Sequence, residues 1–386
     1  MYLDRMSTSI AIKTIVEGAT QLVVPDTPEP SKFPSFFNSR GKFVRDVSMV
    51  CYNAYAATCG DELVFADSLS GCGARGIRVA NESGRFNVVL NDISYTSIEL
   101  AKKSASLNQV TDRCKFSVKE VCAFLSSREE TSGARFDAVD LDPFGTPSPF
   151  IDCALRSMKD GGLLSVSATD SGVLCGVYPR VALRKYQGLP LRSEYSHEVG
   201  LRLIFGLLSL TVMRLELSIE PLFCHHDMHY FRVYSKVLVG NRNSRENGHN
   251  IGYIGHCFRC GFRKLIARDE LSKRAEIDSK CPDCLNLSMS FAGPLWTGKI
   301  QSGPFLEECR KISKLSLFDD ELELATYYDL SAIADQMGVR TPRINDVISK
   351  LNSVGRNASR TRLNPRALRT DAPQNEIRSI LKELVR

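Results

Sequence analysis

Between Leu63 and Ala168, short apolar runs alternate with segments of helical periodicity, and this alternation constrains the fold more than any other feature of the sequence. Five runs predict strands, at 63–66, 87–90, 114–118, 136–141 and 162–168. Helical spacing follows the first run as far as Ala80 and recurs at 95–108 and 150–158. Strands that alternate with helices form a parallel, doubly wound sheet. The sequence therefore predicts an α/β domain that binds its ligands at the carboxyl ends of the strands.

A glycine-rich turn follows the first of these strands. The strand ends in Asp67, and Gly71, Gly73 and Gly76 follow with G-x-G-x-x-G spacing. Such a turn lets a ligand approach the backbone at the start of a helix. Asp92 ends the next strand, where an acid can bind ribose hydroxyls. These residues fit a nicotinamide dinucleotide as well as S-adenosylmethionine, although Asp67 suits an ammonium group better than a pyrophosphate.

A second motif, Asp142-Pro143-Phe144-Gly145, ends the fourth predicted strand. It resembles the [D/N]-P-P-[F/Y] motif of enzymes that methylate amines. The exocyclic amine of a base is a poor nucleophile because its lone pair is delocalised into the ring. A carboxylate that accepts its N–H returns electron density to the nitrogen, and an aromatic ring stacked on the base holds it in line with the methyl donor. A base inside a helix must be extruded before it can be reached.

Two cysteine pairs indicate a metal site in the C-terminal third. Cys257 and Cys260 form one C-x2-C pair, and Cys281 and Cys284 form the other. Two such pairs at this spacing are typical of a structural zinc ribbon, in which four thiolates leave no open position for catalysis. The other nine of the thirteen cysteines are scattered. We expect them to be buried thiols, because the chain reads as a soluble intracellular protein.

The remaining sequence suggests two domains. Residues 1–40 are proline-rich and predict an ordered arm, and helices are expected at 43–57 and 194–217. The longest apolar run, 203–213, is shorter than the roughly 20 residues that span a bilayer, so it predicts a helix buried in the core. A polar stretch at 241–250 predicts a boundary between a domain at 1–240 and a C-terminal domain at 241–386 that contains the cysteine module, 257–284.

The C-terminal domain is expected to be α+β and to bind a polyanion. Leu330–Val339 followed by Pro342–Leu351 predicts a helix–turn–helix segment. From Arg340 to Arg386 there are eleven Lys/Arg against four Asp/Glu, so this region accounts for all of the excess positive charge in a chain whose formal net charge is +6. Its basic run comprises Arg356, Arg360, Arg362, Arg366 and Arg369, a pattern that predicts phosphate contacts.

Taken together, these motifs resemble the tRNA (guanine-N2)-dimethyltransferase family, which acts on guanine 26 of tRNA, in its compact archaeal form. The likeness extends over nearly the whole chain. Beyond the two motifs above, the matching blocks include Glu17–Thr20, Phe36–Asn38, Thr169-Asp170, His229–Arg232, Gly293–Gly298 and Thr370–Pro373. The resemblance implies a class I, Rossmann-like methyltransferase domain, S-adenosylmethionine as cofactor, structural zinc and tRNA as substrate. It also implies a cytoplasmic enzyme, with a monomer and no obligate protein partner as the expectation.

The resemblance also implies roles for individual residues. Asp142 would be the catalytic carboxylate with Pro143 beside it, and Phe36 and Phe144 would sandwich the extruded guanine. Glu120 stands where the family usually has Asp near the adenine. Arg45 and Arg75 would bind the methionine carboxylate of the cofactor or shape that end of the pocket. The implied cofactor-binding residues are Arg45, Asp67, Gly71, Gly73, Arg75, Asp92, Ile93, Glu120 and Val121.

Two other functions are compatible with parts of the sequence. A dinucleotide-dependent oxidoreductase explains the glycines and Asp92, but it explains neither Asp142–Gly145 nor the basic C-terminus. A zinc-ribbon RNA-binding protein with an inactive methyltransferase site explains the C-terminus and predicts RNA binding without turnover.

Overall fold

The computed structural model describes residues 11–26, 35–60, 62–127, 129–268 and 280–385. The chain forms two units. The first comprises 1–143 and 153–165, and the second comprises 144–152 and 166–386. Strand β7, defined below, contributes residues to both units.

The first half of the chain is an α/β succession that follows a hairpin. Its elements are β1 (Ile12–Glu17), β2 (Thr20–Pro25), α1 (Lys42–Ala57), β3 (Leu63–Asp67), α2 (Ala74–Glu82), β4 (Phe86–Asn91), α3 (Tyr95–Leu107), β5 (Cys114–Ser117), α4 (Val121–Ser127), β6 (Phe136–Leu141), α5 (Ile151–Ser157) and β7 (Met158–Ala168).

The second half begins with helices and ends in two small sheets with their helices. Its elements are α6 (Ser171–Leu174), α7 (Pro179–Tyr186), α8 (Ser196–Met213), β8 (Leu217–Asp227), β9 (Tyr230–Val239), α9 (Asn241–His249), β10 (Ile251–His256), β11 (Arg263–Ala267), β12 (Ser290–Trp296), α10 (Gly303–Ile312), β13 (Tyr328–Asp329), α11 (Leu330–Met337), α12 (Ile344–Ser353), β14 (Ala358–Arg360), β15 (Ala367–Thr370) and α13 (Gln374–Val385).

The main sheet has seven strands in the order β5-β4-β3-β6-β7-β9-β8. Strands β3, β4, β5 and β6 pair in parallel, and β8 and β9 form an antiparallel pair. This order confirms the predicted Rossmann-like sheet. Strands β4 and β5 are added on one side of β3, and β6 and β7 are added on the other side. The carboxyl ends of β3, β4 and β6 therefore lie side by side, and the residues that follow them are brought together.

Three elements differ from the sequence-based expectation. The arm contains the hairpin β1–β2, while residues 1–10 and 27–34 of the arm lie outside the described residues. The long helix ends at Met213 rather than Leu217, and Leu217 begins strand β8. Strand β8 was missed because Pro221 interrupts its pattern. The register with β9 shifts between Pro221 and Phe223, and a bulge is where a strand tolerates proline.

Helix α8 is the one helix among the described residues with the length and hydropathy of a membrane span. However, 78% of that stretch is buried inside the protein, as in the core helix of a globular domain. The buried side chains include Leu203, Phe205 and Leu208. This agrees with the expectation that the run 203–213 is a core segment.

The expectation that the nine remaining cysteines are buried thiols is wrong for several of them. Cys122 of α4 and Cys153 of α5 form a disulfide, with their Cα atoms 5.4 Å apart. Cys59 and Cys175 are free but only half-buried. The pairing was missed because 31 residues separate the two cysteines in the sequence. They meet because α4 and α5, which precede and follow β6, bring them together.

Candidate functional site

The glycine turn between β3 and α2 has the geometry of a ligand cradle. Gly71 and Gly73 have φ values of 54° and 82°, which favour glycine, and Gly73 caps α2. Gly76 is needed for a different reason. A Cβ there would lie 2.8 Å from Leu90 Cδ2 and 2.9 Å from Asp67 Oδ2. Two glycines thus permit the backbone path, and the third permits close packing of α2 on the sheet.

The two acids at the strand ends hold this turn in place. Asp92 accepts the backbone N–H of Gly71 at 2.9 Å and that of Ser94 at 2.8 Å. Asp67 accepts the N–H of Gly76 at 2.8 Å. Asp92 is half-buried and directly follows β4. The turn and both acids therefore form one hydrogen-bonded unit at the carboxyl edge of the sheet.

Asp67 is buried beside a second acid. Burial and the negative charge of Asp140 raise the pKa of Asp67 to about 8, although Arg75 opposes the shift. Asp140 is fully buried in β6 and accepts hydrogen bonds from Tyr52 at 2.8 Å and Ser165 at 2.6 Å. Sequence reasoning missed Asp140. The available signal was an acid within the otherwise apolar strand 136–141.

Arg75 connects the glycine turn to the second motif. Its Nε lies 2.9 Å from Asp140 Oδ2, its Nη1 donates to Ser48 Oγ at 2.6 Å, and its Nη2 donates to Asp142. The guanidinium is buried, so these contacts hold it between two carboxylates. Arg75 was expected to bind the methionine carboxylate or shape that end of the pocket. The structure places it on Asp142, which it orients at the end of β6.

Arg45 also engages a carboxylate within the protein. Its guanidinium makes a two-pronged contact with Glu17, at 2.8 and 2.6 Å, and donates to the carbonyl of Asn38 at 3.0 Å. It also lies 5.0 Å from the centre of the Phe37 ring. Arg45 therefore ties the hairpin β1–β2 to the segment that carries Phe36. If Gly71 had a Cβ, that atom would lie 3.1 Å from the carbonyl oxygen of Phe36. The segment that carries Phe36 therefore lies beside the glycine turn.

The residues of Asp142–Gly145 have different surroundings. Asp142 is 24% exposed and Pro143 is buried, whereas Phe144 is 76% exposed. Gly145 has φ +74°, and its N–H donates to Thr169 Oγ1 at 2.8 Å. The N–H of Thr169 in turn donates to the carbonyl of Gly145 at 2.8 Å. The unit boundary falls between Pro143 and Phe144, so Asp142 belongs with the glycine turn and Phe144 with Thr169.

Three further expected cofactor-binding residues, Ile93, Glu120 and Val121, follow β4 and β5. Asn91 donates to the carbonyl of Lys119 and accepts the N–H of the same residue, both at 3.1 Å, which brings the segment after β5 beside the end of β4. Glu120 is exposed and accepts the N–H of Ala123 at 3.0 Å, which caps α4. The other two expected contacts differ in exposure: Val121 is 5% and Ile93 is 74% exposed.

The four cysteines converge in the second unit. The Sγ atoms of Cys257, Cys260, Cys281 and Cys284 all lie within 4.8 Å of one another. Cys257 is 3.6 Å from Cys284, and Cys260 is 3.5 Å from Cys281. A tetrahedral zinc with Zn–S bonds of about 2.3 Å separates its sulfurs by about 3.8 Å. The donor set therefore fits zinc, and among the described residues it is the one cluster of this kind.

The predicted helix–turn–helix is part of a larger motif. Helices α11 and α12 are joined by a turn in which Gly338 has φ +66°, and the sheet β13-β15-β14 lies in the same C-terminal segment. The helices and the sheet share one core of buried residues, including Ile333, Val347 and Leu368. This order of elements resembles a winged helix, a motif that presents a helix and a β-turn to nucleic acid.

The basic run is only partly available for phosphates. The side chains of Arg362 and Arg369 are buried, with 5% and 1% of their surface exposed. The prediction that they contact phosphates is therefore wrong. Both pair with Glu321, and Arg369 also pairs with Glu198 at 2.8 Å. The sequence does not reveal that these two arginines are neutralised, because their acidic partners are remote in the sequence. Of the five arginines in the run, Arg360 and Arg366 are exposed.

Comparison with known proteins reveals whole-chain similarity. Residues 15–382 match the family model described as "N2,N2-dimethylguanosine tRNA methyltransferase". A protein of Methanothermobacter thermautotrophicus named tRNA (guanine(26)-N(2))-dimethyltransferase is 35% identical over 96% of this chain and 99% of its own length. A namesake from Pyrococcus abyssi is 30% identical over 95% and 98%. The structure of Trm1 from Pyrococcus horikoshii with S-adenosyl-L-methionine superposes with a TM-score of 0.81 at 29% identity, covering 96% of this chain and 99% of that one.

Proposed function

The chain belongs to the N2,N2-dimethylguanosine tRNA methyltransferase family, and from this premise we propose how it acts. It transfers methyl groups from S-adenosylmethionine to the exocyclic N2 of guanine 26 in tRNA, giving N2-methyl- and N2,N2-dimethylguanosine. The observation that carries the proposal is the position of Asp142. This carboxylate ends β6, next to β3 and its glycine turn, and Arg75 of α2 holds it there.

S-adenosylmethionine supplies an electrophilic methyl group bound to sulfur. We propose that Asp92 binds the ribose hydroxyls, that Asp67 attracts the ammonium group, and that the glycine turn lets the ligand approach the backbone. Both acids hold this turn, through the N–H groups of Gly71 and Gly76. Asp142 accepts an N–H of the guanine amine, which raises the electron density on nitrogen. As the new C–N bond forms and the C–S bond breaks, the same carboxylate stabilises the positive charge on nitrogen and takes up its proton.

Base capture is assigned to two aromatic side chains and Pro143. Phe144 is 76% exposed and follows Asp142 by two residues, so its ring is available to a base that enters from solvent. Phe36 is half-buried on the segment beside the glycine turn. We propose that the extruded guanine stacks between these two rings, with the carbonyl of Pro143 near its amine. Stacking of a base on an aromatic side chain contributes about 1–3 kcal/mol.

A dinucleotide-dependent oxidoreductase is the competing function for the same sheet. The two differ in the ligand that stabilises the protein, because any ligand of the folded state raises the melting temperature. We expect S-adenosylhomocysteine at saturating concentration to raise the melting temperature by several degrees and NAD or NADP to leave it unchanged. Protection by a dinucleotide alone would favour the oxidoreductase.

The raised pKa of Asp67 predicts a pH-dependent affinity for the cofactor. Because burial and Asp140 raise this pKa to about 8, the side chain is largely protonated at pH 7 and ionises as the pH rises through about 8. Only the carboxylate attracts the ammonium group, so cofactor binding must displace a proton. In calorimetry, Kd should fall by up to about tenfold per pH unit between pH 6 and 8 and then level off. Asp67→Asn should bind more weakly with a flat pH profile, and a flat profile in the wild type would remove Asp67 from this role.

We propose that the four cysteines hold a structural zinc ion. A backbone turn at each cysteine pair supports this, since the carbonyl oxygen of Cys257 accepts the N–H of Gly261 at 2.8 Å and that of Cys281 accepts the N–H of Leu285 at 3.0 Å. Elemental mass spectrometry of the purified wild-type protein should give about one zinc ion per chain. Cys260→Ser/Cys284→Ser should lose it, whereas Cys59→Ser, at a half-buried free thiol, should keep it. A metal-free wild type or a fully loaded double variant would contradict the assignment.

The C-terminal domain, 241–386, is proposed to bind tRNA through its winged-helix-like segment. Support comes from Arg340 and Arg343 before α12 and from Arg360 at the end of β14, all of which are exposed. Arg360 donates to the side-chain oxygen of Asn345 in α12 at 2.9 Å, and this hydrogen bond joins the end of β14 to the helix. A domain at 1–240 that carries the methyltransferase site, a monomeric state and a cytoplasmic location complete the proposal.

A further inference from the structure

A cation-rich segment follows β7 and is not used by the mechanism above. Residues 171–193 contain four Lys/Arg and no Asp or Glu. Helix α7 lies within it and turns one face inward, where Ala182 and Tyr186 are fully buried. Arg180 and Arg184, four residues apart, lie on one face of the helix and are exposed. Among the residues that the structure describes, neither has a carboxylate within ion-pair distance.

Helix α7 is anchored to the loop that carries Phe144. The hydroxyl of Tyr186 donates to Asp170, the residue after Thr169. Lys185 Nζ lies 3.5 Å from the other oxygen of Asp170. Thr169 in turn accepts the N–H of Gly145, the residue after Phe144. The end of α7 is therefore tied, through Asp170 and its neighbour Thr169, to the loop that carries Phe144.

An exposed aromatic ring precedes the helix. Tyr178 is 58% exposed, and its ring packs beside Gly172, where an added Cβ would lie 3.2 Å from the ring. Its N–H also points to the carbonyl of Gly172 at 3.3 Å. The ring is thus supported from behind by α6 and open to solvent in front. A fixed, exposed tyrosine beside unpaired arginines matches the surfaces on which unstacked bases and phosphates bind.

We propose that Tyr178 and the outer face of α7 form a docking surface for the RNA strand that flanks the target guanosine. Arg180 and Arg184 bind backbone phosphates, and Tyr178 stacks on a base exposed when the guanine leaves the helix. This inference rests on the proposed function and deepens it, because it places an RNA contact beside Phe144, outside residues 241–386. Phosphate contacts carry no sequence information, so the surface would serve tRNAs of differing sequence.

The test compares two double variants of the full-length protein with the wild type. Arg180→Gln/Arg184→Gln removes the proposed phosphate contacts. Arg214→Gln/Lys311→Gln removes the same charge from side chains that are 63% and 61% exposed and already paired with Asp152 and Glu308. Binding of an unmodified tRNA transcript is measured from 50 to 300 mM salt, together with methylation kinetics.

The first variant should raise KM for tRNA at least tenfold at physiological salt and change kcat little. The slope of log Kd against log salt should fall by about 1.4 to 1.8, since each phosphate contact contributes about 0.7 to 0.9. The control should match the wild type, and cofactor affinity should be unchanged in all three. Tyr178→Ala should weaken tRNA binding by tenfold or more, whereas Tyr178→Phe should preserve it.

Two kinds of failure are distinguishable. If the wild type methylates tRNA and the Arg180/Arg184 variant keeps its KM and salt slope, the docking surface is refuted while the proposed function stands. The same holds if the variant and its control lose affinity equally, because then only net charge matters. If the wild type neither binds nor methylates tRNA, the proposed function fails and this inference fails with it.

Discussion

Replacing Asp142 with alanine should reduce methyl transfer to tRNA by about 10² to 10⁴-fold, the range typical of a positioned acid–base group. Cofactor affinity should persist, because Arg75 keeps its contacts with Asp140 and Ser48 when its contact with Asp142 is lost. Single-turnover kinetics with saturating tRNA measure the first quantity, and calorimetry with S-adenosylhomocysteine measures the second.

The matched control for this substitution is Asp152→Asn. Asp152 is also an acid near the start of α5, but it pairs with Arg214 and is 36% exposed. It should retain full activity. Asp142→Asn should fall between the wild type and Asp142→Ala, since an amide oxygen still accepts the N–H but carries no charge. Unchanged turnover in Asp142→Ala would remove this carboxylate from the mechanism.

Glu198→Gln should lower the free energy of unfolding by about 3–5 kcal/mol, the usual cost of removing one partner from a buried ionic network. Glu198 is fully buried in α8 and accepts from Arg202 at 2.8 Å, from Arg369 at 2.8 Å and from the N–H of Thr326 at 3.1 Å. With Glu321 and Arg362, it forms a network of three arginines and two glutamates. Its loss leaves three buried guanidinium groups with one carboxylate.

Urea denaturation of the wild type and the variant measures this difference. Glu323→Gln serves as the control, because Glu323 is 42% exposed and its partner Lys299 is 70% exposed. An exposed pair contributes about 0–1 kcal/mol, so this substitution should change stability little. Equal stability of Glu198→Gln and the wild type would mean that the network is dispensable.

The parts of the fold that could be predicted are those encoded by local pattern. The strands from Leu63 to Ala168 are apolar runs bounded by turns, and the glycine turn is defined by spacing alone. Asp67, Asp92 and Asp142 stand at strand ends in the sequence, so their common edge follows from the topology of a parallel sheet. The spacing of the two cysteine pairs likewise predicts that their four thiols converge, as they do in the structure.

The parts that could not be predicted depend on contacts between remote residues. Arg362 and Arg369 look like surface charges in a basic run, and only the fold shows that Glu321 and Glu198 neutralise them from 41 and 171 residues away. The same is true of Asp140, whose importance comes from Tyr52 and Arg75. The role of α7 is similar, since the contact of Tyr186 with Asp170 brings its cations to the loop of Phe144.

The central claim is tested most directly by methylation of an unmodified tRNA transcript with guanine at position 26, beside a transcript with adenine there. Nucleosides from the digest are identified by mass spectrometry. The account predicts N2-methyl- and N2,N2-dimethylguanosine from the first transcript and neither from the second. If no methylated nucleoside forms although the protein binds S-adenosylmethionine, the account is contradicted, and the chain either acts on another substrate or has an inactive site. Methylation that persists in the adenine transcript would contradict the assignment of the target base.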